Sequence, residues 1–241
     1  MMQRALLRML FVVALAALGG GCATVPPQGA TSKDDPFEPW NRAMYDVHQV
    51  VDGHFFKPIA QAYVAATPQP IQTGIHNFFQ NLDDVVSIVN DWLQWDLNRA
   101  GNDMGRVMIN SFFGLGGIID IASEAGIERG DQDFGLTFGK WGIPQGPYLF
   151  IPVIGPSTVR DGTGLIARAY ASPLSYVVVD VPTRNILYGI GFINYRAQAL
   201  DAEKLVDQAA IDPYTFIRRA YLQRRAYLVR DGKPAPPDEE E

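Results

Sequence analysis

Apolar positions recur at helical spacing over most of the chain. Ile71, Ile75, Phe78, Phe79, Leu82, Val85, Val86, Val89 and Leu93 advance mostly in steps of three and four, the stripe of an amphipathic helix. Pro68 and Pro70 stand where a first helical turn tolerates proline. The pattern predicts a helix across residues 71–97, with Trp92 and Trp95 beside its stripe. Met104, Val107, Met108, Phe112, Leu115, Ile118 and Ile119 repeat the pattern. After Thr183, the positions Ile186, Leu187, Ile190, Ile193, Ala197 and Leu200 mark one face of another helix. Asp212-Pro213 reads as an N-cap followed by proline, opening a last helix to about Val229. The stretch from Tyr176 to Val181 has β propensity, but it is short and Pro182 closes it. The expected fold class is all-α.

Residues 134–164 break the pattern. This segment is apolar yet studded with glycine and proline, so it is not a continuous helix. The expectation is an irregular Gly/Pro-rich loop. Long loops of this kind in a compact domain are usually functional; a buried loop packed between helices is the plainer alternative.

The apolar faces are generous, and the second stripe ends in FFGLGGII. Periodicity alone assigns such faces to a buried core. On a chain attached to a membrane they have another use. Amphipathic helices lie in the interface with the apolar face among acyl chains, and Trp and Tyr favour that depth.

The start of the chain predicts such an attachment. Arg4 and Arg8 precede an apolar run from Met9 to Leu18, too short to span a bilayer and suited to a signal peptide. Gly19, Gly20 and Gly21 lead to Cys22, the single cysteine. Small residues before a lone cysteine resemble a bacterial lipoprotein signal, with Gly19 where leucine is usual. An ordinary secretory signal with an incidental cysteine is the alternative. Ala23, where aspartate would signal retention at the inner membrane, points to the outer one. The expected organisation is a signal over residues 1–21, a tether over 22–36, a helical domain over 37–230 and an acidic tail over 231–241.

Composition narrows the function classes. Hydrophobic residues make up 47% of the chain, enough to order a core, and the net charge of -6 argues against a nucleic-acid partner. No GxSxG elbow, HExxH pair or Walker A loop occurs. His48, His54 and His76 match no metal spacing. No catalytic residue, metal or cofactor is expected, and the chain reads as a non-enzyme. Arg218, Arg219, Arg224, Arg225 and Arg230 crowd the last helix. They read either as a solvated basic face or as a contact for anionic headgroups or an acidic partner.

Several motifs then resemble one family, the MlaA (VacJ) outer-membrane lipoproteins. They begin with Asp35-Pro36-Phe37-Glu38-Pro39-Trp40-Asn41-Arg42-Ala43-Met44-Tyr45 and Asn77-Phe78-Phe79-Gln80-Asn81-Leu82. Asn110-Ser111-Phe112-Phe113-Gly114 and Asp133-Phe134-Gly135-Leu136-Thr137-Phe138-Gly139 follow. Trp141-Gly142, Gly146-Pro147-Tyr148, Gly155-Pro156-Ser157-Thr158-Val159-Arg160-Asp161 and Tyr221-Leu222-Gln223-Arg224-Arg225 complete the match.

The resemblance implies a ring-like set of amphipathic helices in the inner leaflet of the outer membrane, around an amphipathic channel. It implies removal of phospholipids misplaced in the outer leaflet, a soluble periplasmic carrier like MlaC as recipient, and a trimeric porin as partner. A structural lipoprotein that scaffolds a porin or envelope assembly without moving lipid is the competing reading. Gly139, Gly142 and Gly146, interleaved with Pro144 and Pro147, are the expected gating loop. Phe138, Trp141, Tyr148, Arg160, Arg224 and Arg225 are the expected lipid or partner contacts, and Cys22 the lipidation site.

Overall fold

The computed structural model describes residues 35–233. The signal sequence, Cys22 and the tail beyond residue 233 lie outside them. In chain order the helices are α1 (Glu38–Val51), a π-helical turn (Asp52–Phe56), α2 (Lys57–Ala66), α3 (Gln69–Leu93), α4 (Leu97–Phe112) and α5 (Ile121–Glu124). Then come α6 (Phe134–Lys140), the strands β1 (Tyr148–Ile151) and β2 (Gly155–Thr158), α7 (Val159–Ala171) and α8 (Pro173–Val177). The long α9 (Val181–Ala209) and α10 (Pro213–Val229) close the series.

The fold is all-α apart from one hairpin. Aspartate sets half of the α-helix starts among the described residues: Asp96, Asp120, Asp133, Asp180 and Asp212 each accept a backbone N–H of the first turn, and Thr158 does so for α7. Each supplies a partner to a donor that has none inside its helix.

Two expectations are corrected and one reading holds. The helix predicted over residues 71–97 is two helices, because Trp95 turns the chain at φ 60° between α3 and α4. As its shortness and Pro182 implied, the segment from Tyr176 to Val181 forms no strand. It ends α8 and passes through an extended link into α9, with Val177 and Val179 exposed and no sheet edge beside them. Residues 134–164 are not an irregular loop. Asp133 caps α6, and the chain then pairs β1 with β2 antiparallel, from Tyr148 opposite Thr158 to Ile151 opposite Gly155. The glycines are spent on tight turns and close approaches. Gly142 and Gly146 take φ +84° and +69°, which other residues resist.

The domain edges also move. Asp35, assigned by composition to the tether, is fully buried and holds Asn41 at 2.8 Å and Arg218 at 2.6 Å. Asp231, assigned to the tail, pairs with Arg99 at 3.2 Å and with Lys140.

Burial is inverted relative to a soluble helical protein. The face that α3 buries carries Gln72, Asn81, Asp84, Ser87, Asn90 and Asp91. The buried face of α4, packed against it, carries Asp103, Arg106 and Asn110. Many of these groups are partnered: Arg106 reaches both oxygens of Asp120 at 3.1 Å, Asn110 reaches Asp120 at 2.9 Å, and Asn81 reaches Ser111 at 3.1 Å. Buried polar groups usually have partners, and the carboxyl oxygens of Asp91 are an exception. The apolar stripes run out onto exposed surface, although on α3 Phe79, Leu82 and Val85 are half-buried and Val86 is buried. Ile71, Val89, Trp92, Met104 and Met108 are exposed, and Phe112 and Phe113 are 78% and 74% exposed. Periodicity located these faces and assigned them to a core that the structure builds from polar side chains. Apolar surface this extensive marks a lipid or protein contact. Among the described residues no helix is long and apolar enough to cross a membrane.

A conventional apolar core remains beneath the hairpin. Tyr148, Phe150 and Tyr214 are buried together, with Met44, Tyr45, Tyr221 and Leu222 packed on them. The aromatic rings meet edge to face, at 5.3 Å for Tyr45–Phe150 and 6.2 Å for Tyr148–Tyr214.

Candidate functional site

A cavity of about 810 Å³ opens between α3, α7, α8 and α9. Its walls are amphipathic. Phe79, Leu82 and Val86 on α3, Leu165 on α7, Leu174 on α8 and Phe192 on α9 give the apolar side. Arg129, Arg168, Arg184, Asp83 and Asp131 give the charged side. Helical spacing makes this mixture: on α3, Phe79, Leu82, Asp83 and Val86 share one face three and four positions apart. Gly191 lets α9 come in close, since a Cβ there would lie 2.9 Å from the Phe79 ring.

A second cavity of about 540 Å³ lies under the hairpin and α10, with Asp133, Val153, Ser157, Asp161, Tyr221 and Arg225 on its walls. Its charges are strongly held. Arg225 bonds Asp133 and Asp161, each at 2.9 Å through Nη2, and Tyr221 donates to Asp161 at 2.6 Å. Burial pushes the Asp161 carboxyl up, but Arg225, Tyr221 and Arg160 outweigh it and hold the group below the usual aspartate range. Burial and the Asp161 carboxylate push the Tyr221 phenol far up, so it stays a donor.

His76 faces the larger cavity, and burial and the nearby Arg129 lower its pKa. The shift favours the neutral ring. His48 sits behind the hairpin, where its Nδ1 accepts the backbone N–H of Val153 at 3.0 Å. Burial lowers its pKa too, consistent with the neutral ring this contact needs. Among the described residues no group of three His, Cys, Asp or Glu side chains is placed to hold a metal.

The sequence-predicted contacts divide. Trp141 is 53% exposed, donates its indole N–H to Leu93 O at 3.0 Å and stands 5.9 Å from the Phe138 ring. Arg224 is exposed on α10. Tyr148 is fully buried in the aromatic core, and burial drives its phenol pKa up. Arg160 is buried against Asp161, at 3.2 Å. Arg225 reaches the second cavity only from within its ion pairs. Arg218, counted in the basic face, is buried on Asp35 and Glu38. Two of the four arginines within α10, Arg218 and Arg225, are thus internal ties, because α10 turns them toward carboxylates distant in sequence.

The expected gating glycines also divide. Gly139 is inside α6, and a Cβ there would lie 2.8 Å from Arg160 Nη1 and Val229 Cγ2. It allows close packing of α6 against α7 and α10. Gly142 and Gly146 do sit in the turns between α6 and β1.

Sequence reasoning did not single out Asp83, Arg129, Arg168 and Arg184 as site residues. The one signal in the sequence was charge set within apolar helical faces, as at Asp83 among Phe79, Leu82 and Val86.

The comparisons with known proteins agree on one family. The family model described as "MlaA lipoprotein" matches residues 33–228. The "Intermembrane phospholipid transport system lipoprotein MlaA" of Escherichia coli (strain K12) is 34% identical over 222 residues, covering 90% of this chain and 86% of that one. Its namesake from Haemophilus influenzae is 34% identical over 218 residues, 88% and 86% of the two chains. A solved structure described as "Structural basis for maintenance of bacterial outer membrane lipid asymmetry" superposes with a TM-score of 0.70 at 34% identity. It covers 81% of this chain and 98% of that one.

Proposed function

This chain belongs to the MlaA lipoprotein family, and from that premise we propose that it maintains outer-membrane lipid asymmetry by conducting misplaced phospholipids out of the outer leaflet. The observation that carries this reading is the pairing of two surfaces. Apolar faces point outward from α1, α3 and α4, and an amphipathic cavity of about 810 Å³ lies inside. The outer faces suit acyl chains in the interface, and the absence of a spanning helix among the described residues suits a protein seated in one leaflet. The inner cavity suits a molecule with a charged head and apolar tails. A scaffold alone would have no use for such an interior.

Acylated Cys22 anchors the chain at the periplasmic face of the outer membrane. A soluble periplasmic carrier of the MlaC kind takes the lipid onward, and a trimeric porin holds the protein in place. Trp141 and Arg224, both exposed, are the residues offered to lipid or partner. The turns at Gly142 and Gly146 are the gating elements. No covalent chemistry is involved: the protein binds, shelters and releases its lipid.

Reconstitution tests this. Full-length protein in vesicles of phosphatidylethanolamine and phosphatidylglycerol, with labelled phospholipid and purified carrier, should load the carrier. A carrier that loads equally well without the protein overturns the reading. Spin labels at Met108 and Phe112 should report bilayer immersion, and full accessibility to aqueous quenchers would refute the assignment of the outer faces to lipid.

A further inference from the structure

The two cavities adjoin, and the boundary they share forms a neck region of common lining residues. Six residues face both: Asp83, Ile154, Leu165, Arg168, Phe192 and Tyr195. Ile154, Leu165, Phe192 and Tyr195 give it an apolar wall. The other two are an ion pair that links α3 to α7, with Arg168 Nη2 at 2.6 Å from Asp83 Oδ1.

Asp83 and Arg168 are the charges of the larger cavity that also face the second one, whereas Arg129, Asp131 and Arg184 do not. The side chains of Arg168 and Asp83 are 46% and 45% exposed. Arg129 is tied to Asp84, whose side chain is only 2% exposed, and to the backbone oxygen of Gln80. Arg184 faces the larger cavity alone. Arg168 spends a single hydrogen bond on the protein, although a guanidinium carries five N–H donors. A half-exposed ion pair contributes little to stability, so it is a poor structural tie. A guanidinium fork, however, binds a phosphate through two parallel bonds, and does so more strongly where water is scarce.

We propose that the Asp83–Arg168 pair is an exchangeable phosphate site at the neck, selective for glycerophospholipids. The phosphodiester of the passing lipid takes the place of Asp83 on Arg168, while its acyl chains lie along Leu165 and Phe192. When the head group moves on, Asp83 returns to Arg168 and completes the release. Arg168 thus recognises the one group that all glycerophospholipids share, and Asp83 prevents it from becoming a trap. The site rests on the conduit reading above and adds what the conduit selects.

Equilibrium binding in detergent micelles tests it. The full-length protein is titrated with fluorescent phosphatidylglycerol and with fluorescent diacylglycerol of the same acyl chains, which lacks only the phosphate and head group. The native chain should prefer phosphatidylglycerol by roughly tenfold, the fold-change of one charge-assisted bond. Arg168→Gln should reduce that preference to within about twofold. Asp83→Asn, which keeps the fork and removes its competitor, should bind phosphatidylglycerol about threefold or more tightly and release it more slowly. A folded Arg168→Gln that keeps the full preference overturns the neck site. So does an Asp83→Asn whose phospholipid affinity is unchanged or lower, which decides the matter even if Arg168→Gln does not fold. Equal binding of both lipids by the native chain overturns the site and leaves the conduit standing. A native chain that binds neither lipid overturns the conduit reading itself.

Discussion

The side-chain oxygen of Asn41 accepts the backbone N–H of Phe150 at 2.9 Å, joining positions 109 apart in sequence. The amide nitrogen of the same residue donates to Tyr148 O at 3.0 Å and to Asp35 Oδ1 at 2.8 Å. Asn41 therefore does for the free edge of β1 what a third strand would do. It also ties the start of the domain to the hairpin, since Asp35 holds Arg218 at 2.6 Å and accepts the hydroxyl of Tyr214. Removing it strands a backbone donor, a backbone acceptor and a buried carboxylate oxygen. Asn41→Ala should cost about 2–4 kcal/mol. Asn41→Asp should be no milder, because it loses the donor and faces Asp35 with a second carboxylate. Urea unfolding in detergent, followed by circular dichroism, measures both.

Arg225 governs a second tie. Its guanidinium serves Asp133 and Asp161 together, and breaking such a buried group by removing one partner costs about 3–5 kcal/mol. Arg225→Ala should show that loss, and Arg225→Lys should recover only part of it because an ammonium cannot fork. The pH dependence has a definite sign. Asp161 is held below the usual aspartate range in the folded state, so its contribution is present above about pH 4 and is lost as pH falls further. Unfolding midpoints between pH 2.5 and pH 5, compared for the native chain and Arg225→Ala, should show this acid limb shrinking in the variant.

Gly139 and Gly142 separate packing from conformation. At Gly139 an added methyl meets Arg160 and Val229 at 2.8 Å. Gly139→Ala should therefore destabilise by about 1–3 kcal/mol through overpacking. At Gly142 there is open space but φ is +84°. Gly142→Ala should cost about 1 kcal/mol from backbone strain alone, and Gly142→Asn less, because asparagine tolerates that conformation. Proline is excluded at Gly142, whose N–H donates to Gly139 O at 3.0 Å. Thermal melts rank the variants. If Gly139→Ala melts with the native chain, the close approach of α6 to α7 and α10 is wrong. The gating proposal then concentrates on Gly142 and Gly146, where lipid transfer by the alanine variants tests it.

Local signals carried much of the fold. The stripe from Ile71 to Leu93 and the Asp212-Pro213 start are written in adjacent residues, and α3 and α10 formed where they indicated. The direction each face points was not legible, since periodicity gives the stripe and not the medium it meets. The α3–α4 interface shows why: its inner residues are Asp84, Asn90, Asp91, Asp103 and Arg106, which look like a solvated face until their partners are known. The burial of Arg160 and Arg225 was not legible for the same reason, because their partner Asp161 is supplied by tertiary structure. The neck pair was beyond reach, as Asp83 and Arg168 are 85 positions apart. The small hairpin was hidden by prolines that sit at its edge and turn, where they do no harm.

The buried dyad of Asp91 and Asp103 supplies the last prediction. Both residues are fully buried. Neither oxygen of Asp91 has a hydrogen-bond donor, and Asp103 has one, the N–H of Gly130 at 3.1 Å. The two carboxyls interact directly, so one proton held between them gives each a partner. Burial and the facing Asp103 carboxylate push Asp91 up to about 7. An unfolded aspartate titrates near 4, so between about pH 4 and pH 7 the folded chain holds a proton that the unfolded chain has lost. Stability from this group therefore falls as pH rises through that window and levels off above it. Asp84 leans the same way, whereas His48 and His76, lowered by burial, lean the other way below about pH 6.5. The difference between the native chain and Asp91→Asn isolates the dyad. The amide donates permanently to Asp103 and does not titrate. Asp91→Asn should match the native chain near pH 4.5 and exceed it by about 1–3 kcal/mol near pH 8. Chemical denaturation at four or five pH values in one detergent gives the curve. A stability difference that does not grow from pH 4.5 to pH 8 would show that Asp91 is ionised throughout and that no proton is shared with Asp103.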